Sequence, residues 1–230
     1  MENFTYVKDN YARLKDEIYE LCLKNGTPTA TLVSVTKSGS DKEVLALAQA
    51  GALDFGENRP QMLKARDELL TAAGFSPRMH EIGNLQKNKV KMIAERVCLI
   101  HSLDSLSLAE EIEKPAARIG RKIPALIEIN SAGEANKGGI NPEHAEEMLI
   151  KLKGFCSIEP VGLMTMGPVC ENAEDIRKYF RLTRRLFEDL KSKYGFVGEG
   201  ILSMGMSDSY RIAIEEGSTL VRVGRRLFEK

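Results

Sequence analysis

Apolar residues recur at spacings of four and three through the start of the chain, with Val7, Tyr11, Leu14, Ile18 and Leu21 on one stripe. That spacing matches the 3.6-residue period of an amphipathic helix, and Asn25-Gly26 is a stop signal for it. Beyond that point the pattern changes. Short, continuous apolar runs predict strands over 29–36, 52–58, 79–83, 97–104, 123–130, 158–166, 200–207 and 219–224. Helices are predicted between them, over 40–51, 60–74, 87–95, 107–120, 141–155 and 208–217, and a longer one carries Ile176, Phe180, Thr183, Phe187 and Leu190 on one face. Local chemistry agrees at several ends: Ser40 suits an N-cap, Gly51 a helix end and Pro60 a first helical turn. Pro115, inside a predicted helix, is expected to kink or break it, because it lacks an N–H and crowds the preceding turn.

The strands read as unbroken apolar runs rather than alternating ones, as expected of parallel strands covered on both faces. A strand joined to the next by a helix, repeated around eight strands, predicts an α/β fold: a single (β/α)8 TIM barrel with an extra N-terminal helix. An open doubly wound sheet is the alternative. No Pro/Gly/Ser-rich linker divides the chain, so one domain is expected over 1–230, with 1–25 forming the helix that packs on the barrel.

Composition narrows the partners. Lys+Arg and Asp+Glu are equal at 33 each, which argues against nucleic acid as a bulk electrostatic partner. No apolar run approaches the roughly 20 residues of a membrane span, and the N-terminus lacks the basic-then-apolar order of a signal peptide. Cys22, Cys98, Cys156 and Cys170 are scattered, which suits reduced thiols and a cytoplasmic location better than disulfides. His80, His101 and His144 are too dispersed for a metal motif.

Active sites of such barrels lie at the C-terminal ends of the strands. Lys37, Asn58, Asn130, Met166 and Ser207 stand at predicted strand ends, so polar residues collect where a site belongs. Glycine-bearing stretches at 203–208, 215–220 and 221–226 follow the last two strands, where these barrels often bind phosphate through backbone N–H groups. Ser207 is placed at the start of the short helix, and Gly224 lets the backbone approach closely. A lysine amine across the mouth from a phosphate site suggests a phosphorylated aldehyde, and pyridoxal phosphate has both handles.

These residues also carry a resemblance. "LVSVTK" around Lys37, "DFGEN" at 54–58, "HEIGNLQKNK" at 80–89, "GEANKGG" at 133–139, "GLMTM" at 162–166, "LSMGMS" at 202–207 and "GSTLVRVG" at 217–224 occur in an order and spacing that is specific as a set. On them the chain resembles the pyridoxal phosphate homeostasis protein family, whose barrel is similar to the cofactor domain of alanine racemase. The resemblance implies that Lys37 forms an internal aldimine with pyridoxal 5′-phosphate. It further implies that Ser207, Gly224 and the backbone of Arg225 hold the phosphate, that Arg222 faces the pyridine nitrogen, and that Asn58, His80 and Met166 line the ring pocket. Arg59 and Met79 depart from the aromatic residues usual in the family at those rim positions.

Two classes of function compete. One is a monomeric carrier that stores pyridoxal phosphate and delivers it to apo-enzymes; the alternative is a pyridoxal-phosphate-dependent, racemase-like enzyme. Racemisation needs a base on each face of the substrate, and alanine racemase takes its second base, a tyrosine, from an additional C-terminal domain. Only six residues follow Gly224 here, so the carrier is expected. A third reading from spacing alone, an aldolase-type barrel, would need a carboxylate near the amine, with Glu57 and Glu128 as candidates.

Overall fold

The computed structural model describes residues 4–134, 138–168, 170 and 172–230. Its strands β1 (Thr31–Val35), β2 (Asp54–Glu57), β3 (Arg78–Glu81), β4 (Val97–Leu103), β5 (Ile123–Glu128), β6 (Ile158–Met164), β7 (Ile201–Ser203) and β8 (Leu220–Val223) close into one barrel in sequence order. Every neighbouring pair is parallel, and β8 returns to β1 with Ser34 beside Val223. The fold is a TIM barrel with an N-terminal helix.

The helices are α1 (Thr5–Lys24), α2 (Asp41–Gln49), α3 (Pro60–Ala72), α4 (Val90–Ile93), α5 (Leu106–Arg118), α6 (Ala145–Leu152), α7 (Arg177–Tyr194), α8 (Tyr210–Glu215) and α9 (Arg225–Phe228). The stripe Val7, Tyr11, Leu14 and Ile18 is buried, and α1 packs against α2, α8 and α9. Most of the core lies between barrel and helices, while Val33, Leu99, Leu126, Val161, Met164 and Leu220 form a smaller cluster of their own. No helix among the described residues is long and apolar enough to cross a membrane.

Pro115 does not break its helix. The segment continues to Arg118 with Pro115 buried beside Ile112 and Ala116, so packing against the barrel outweighs the missing backbone bond. The segments predicted over 87–95 and 141–155 each begin as a short 3-10 turn, at Lys87–Lys89 and Pro142–His144. Helix α9 has no sequence counterpart, because four residues are too few to show a period.

Candidate functional site

β1 ends at Val35, and the chain turns through Thr36–Ser40 into α2. The turn is braced from several sides. Gly39 donates its N–H to Thr36 O at 3.1 Å, and Ser40 and Glu43 cap α2 reciprocally. Thr36 Oγ1 donates to Glu57 Oε1 at 2.5 Å, and Arg66 of α3 donates to Gly39 O at 2.5 Å and pairs with Asp41. Lys37 stands exposed on this turn, and its amine has no hydrogen-bond or ion-pair partner among the described residues.

Beside it, the turns after β7 and β8 interlock. Gly205 adopts φ +89°, which side-chain-bearing residues rarely tolerate, and a Cβ there would lie 2.6 Å from that of Ala213. Its carbonyl accepts the Arg222 N–H at 3.0 Å. Ser207 Oγ accepts the Gly224 N–H at 3.3 Å, and Arg226 Nε donates to Ser207 O at 2.9 Å. Gly224 presses on β1: a Cβ would lie 3.0 Å from Val35 O, so the end of β8 sits against the strand that leads to Lys37. Ser207, expected at a strand end and helix start, lies instead in the turn between β7 and α8, three residues ahead of Tyr210.

A cavity of about 360 Å³ opens between these turns at the C-terminal mouth. Lys37, Asn58, Met166, Ser207, Arg222, Gly224 and Arg225 line it together with Val35, Ile82, Gly83, Met206 and Asp208. Val35, Ile82, Gly83 and Met206 were not singled out from the sequence; the available signal was their position beside a strand end. Asn58 does not cap α3, since the N-cap residue is Arg59. Asn130 is turned to its own loop, its Nδ2 donating to Glu134 O at 2.8 Å. Ala135, Asn136 and Lys137 of the "GEANKGG" motif lie outside the described residues.

His80, expected in the ring pocket, lies inside the barrel. It does not line this cavity: its Nδ1 lies 3.0 Å from His101 Nε2 and its Nε2 lies 3.0 Å from Asp54 Oδ1, with the ring buried. Its ring is held inside the barrel by the partners from β2 and β4, Asp54 and His101, rather than turned to the mouth. Met79 is also not at the rim but fully buried in the main core, and Arg59 is exposed outside the cavity lining. Neither carboxylate candidate lines the cavity with Lys37. Glu57 is fully buried against Thr36 and Arg66, and Glu128 faces a small neighbouring cleft with Asn130 and Gly167.

Arg222 is the buried charge of the site. Its Nη1 donates to Ser203 Oγ and its Nη2 to Thr165 O at 3.1 Å. Burial lowers the guanidinium to about 10, opposed by the carboxylate of Glu128, so it remains cationic at neutral pH. Burial and Asp104 raise Glu128 to about 7, against the pull of Arg222. Asp208, the carboxylate of the lining, is paired with Arg225.

The sequence profile described as "Alanine racemase, N-terminal domain" matches residues 10–229. A pyridoxal phosphate homeostasis protein of Aquifex aeolicus is 38% identical over 96% of both chains. The chain belongs to the pyridoxal phosphate homeostasis protein family. Two solved structures extend the match over the whole barrel. A protein of unknown function from Bifidobacterium adolescentis, 32% identical, superposes with a TM-score of 0.91 over 99% of this chain and 97% of its own. PipY of Synechococcus elongatus PCC7942, a member of the family determined with PLP bound, is 27% identical and has a TM-score of 0.84 over 97% of this chain and all of its own.

Proposed function

We propose that the chain binds pyridoxal 5′-phosphate in the mouth cavity, attached through Lys37, and serves intracellular homeostasis of that cofactor by holding and releasing it. The observation that carries this reading is the cavity that one amine without a partner among the described residues, Lys37, lines together with the Ser207 and Gly224 turns. The residues present fit the group. When bound, pyridoxal phosphate supplies an aldehyde carbon for an amine and a phosphate dianion for hydrogen-bond donors. Lys37 is the primary amine of the lining, the Arg225 N–H and the Ser207 hydroxyl are donors, and Gly224 lets the turn after β8 close on β1, where a Cβ would lie 3.0 Å from Val35 O.

The lining supports a carrier rather than an efficient enzyme. It contains no tyrosine or histidine to act as a second base among the described residues, and Asp208 is engaged by Arg225. Arg222 can only donate a hydrogen bond toward a ring nitrogen. Set against the ring nitrogen of bound cofactor, it would leave the pyridine unprotonated and weaken it as an electron sink, where a carboxylate would strengthen it. The protein acts as a monomer that hands its cofactor to apo-enzymes. The experiment is incubation of the loaded protein with L-alanine in deuterated water, in parallel with transfer of the cofactor to an apo-transaminase. The expected result is transfer without measurable racemisation or Cα–H exchange. Turnover on the order of 1 s⁻¹ or faster, an ordinary enzymatic rate, would overturn the carrier reading.

A further inference from the structure

His80 and His101 are buried ionisable side chains that the cavity does not use, and they form part of a continuous chain through the barrel interior. Arg222 Nη1 donates to Ser203 Oγ; Ser203 Oγ lies 3.0 Å from His101 Nδ1; His101 Nε2 lies 3.0 Å from His80 Nδ1; His80 Nε2 lies 3.0 Å from Asp54 Oδ1. The links come from β8, β7, β4, β3 and β2. Its foot, Asp54, borders a separate cleft of about 270 Å³ that also contains Tyr11, Lys15 and Thr31, and there it pairs with Arg78.

Donor counting fixes the direction of this chain. A guanidinium can only donate, so Ser203 Oγ accepts from Arg222. Among the described residues Ser203 Oγ has one other partner, His101, so its own hydroxyl hydrogen goes to His101 Nδ1; any other orientation leaves that hydrogen buried without an acceptor among them. His101 then carries its proton on Nε2 and gives it to His80 Nδ1. His80 in turn carries its proton on Nε2 and gives it to Asp54, which accepts as a carboxylate. Burial, with Arg222 adding to it, pushes His101 well below its ordinary range, in keeping with a neutral ring. Burial alone would raise Asp54, but its hydrogen bonds from His80 and Arg78 hold it below the usual value.

We propose that Asp54, His80, His101 and Ser203 are positioning residues: a one-directional hydrogen-bond relay that presents a lone pair of Ser203 to Arg222 and so fixes its guanidinium toward the cofactor ring. The proposal rests on the pyridoxal phosphate reading above. Reversing any link would turn Ser203 from a pure acceptor for Arg222 into an oxygen shared with a histidine N–H. The acceptor at Asp54 therefore sets the geometry at the opposite mouth.

The test uses protein loaded with pyridoxal phosphate labelled with 15N in the ring, read by the 15N resonance of the ring nitrogen, the 31P resonance of the phosphate and the dissociation constant. Ser203→Ala and Asp54→Leu are expected to shift the ring-nitrogen resonance and weaken binding about tenfold, with the 31P resonance unmoved. Asp54→Asn, which retains an oxygen acceptor for His80, should restore most of the loss. Lys114→Gln, an exposed residue of α5 outside the relay, should read as wild type. Should Asp54→Leu fail to fold, Ser203→Ala against Lys114→Gln still decides. An unmoved ring-nitrogen resonance in Ser203→Ala, or 15N and 31P resonances that shift together, would overturn the relay. Failure of the wild-type protein to take up the cofactor would instead overturn the functional reading beneath it.

Discussion

Ser207 is held by two contacts, the Gly224 backbone N–H on its Oγ and the Arg226 side-chain Nε on its carbonyl, so its hydroxyl is fixed where the β7 and β8 turns meet. A hydrogen bond to a charged phosphate contributes about 1.5–3 kcal/mol. Ser207→Ala should therefore weaken pyridoxal phosphate roughly tenfold to a hundredfold, measured by absorbance titration. Binding of pyridoxal, which lacks the phosphate, should be unchanged. An equal loss for both ligands would mean that Ser207 shapes the turn and does not touch phosphate. At this scale the sequence is legible where a side chain follows a strand. Lys37 and Ser207 come after apolar runs that become β1 and β7, and the barrel inference places such residues at one mouth. The destination of His80 is not legible, because a strand pattern does not say how deep within the barrel a residue lies. Its partners Asp54, His101 and Ser203 are distant in sequence and meet only when the barrel closes.

Where β2 pairs with β3, Glu57 lies in register with Glu81, and both side chains are fully buried. Burial raises Glu81 to about 8, with Glu57 adding to the rise and the Gly83 N–H, 3.2 Å away, opposing it. Its folded value exceeds the ordinary 4.5, so the folded state holds the proton longer than the unfolded chain. The stability contribution is fully present below pH 4.5 and is lost as pH rises toward 8, by at most about 1.4 kcal/mol per pH unit. Glu81→Gln keeps an oxygen for Gly83 and removes the titration. Thermal unfolding midpoints between pH 5 and 9 should show the variant losing less stability with rising pH and exceeding wild type at the alkaline end. Parallel curves would contradict this. The elements themselves were largely legible, but their ends were not. The run over 200–207 reads as a strand, whereas β7 stops at Ser203 because the chain turns at Gly205, with its positive φ, and bonds back to Arg222. Apolar character continues into these turns because Met204 and Met206 serve core and cavity, so hydropathy alone overruns the ladder.

Closure of the barrel is what makes the site. Lys37 and Gly224 come from opposite ends of the sequence, and the pairing of β1 with β8 makes them neighbours across one cavity. The same closure threads a polar chain beneath Arg222, so the barrel interior combines apolar packing with a connected hydrogen-bond path. The central claim is that this mouth holds pyridoxal phosphate through the Lys37 amine. It is tested most directly by reducing the loaded protein with borohydride and locating the modified residue by peptide mass mapping. The account predicts one pyridoxyl-modified peptide, carrying Lys37, and loss of both the visible absorbance and the modification in a folded Lys37→Ala variant. A reducible adduct on another lysine, or one that persists in Lys37→Ala, would contradict it.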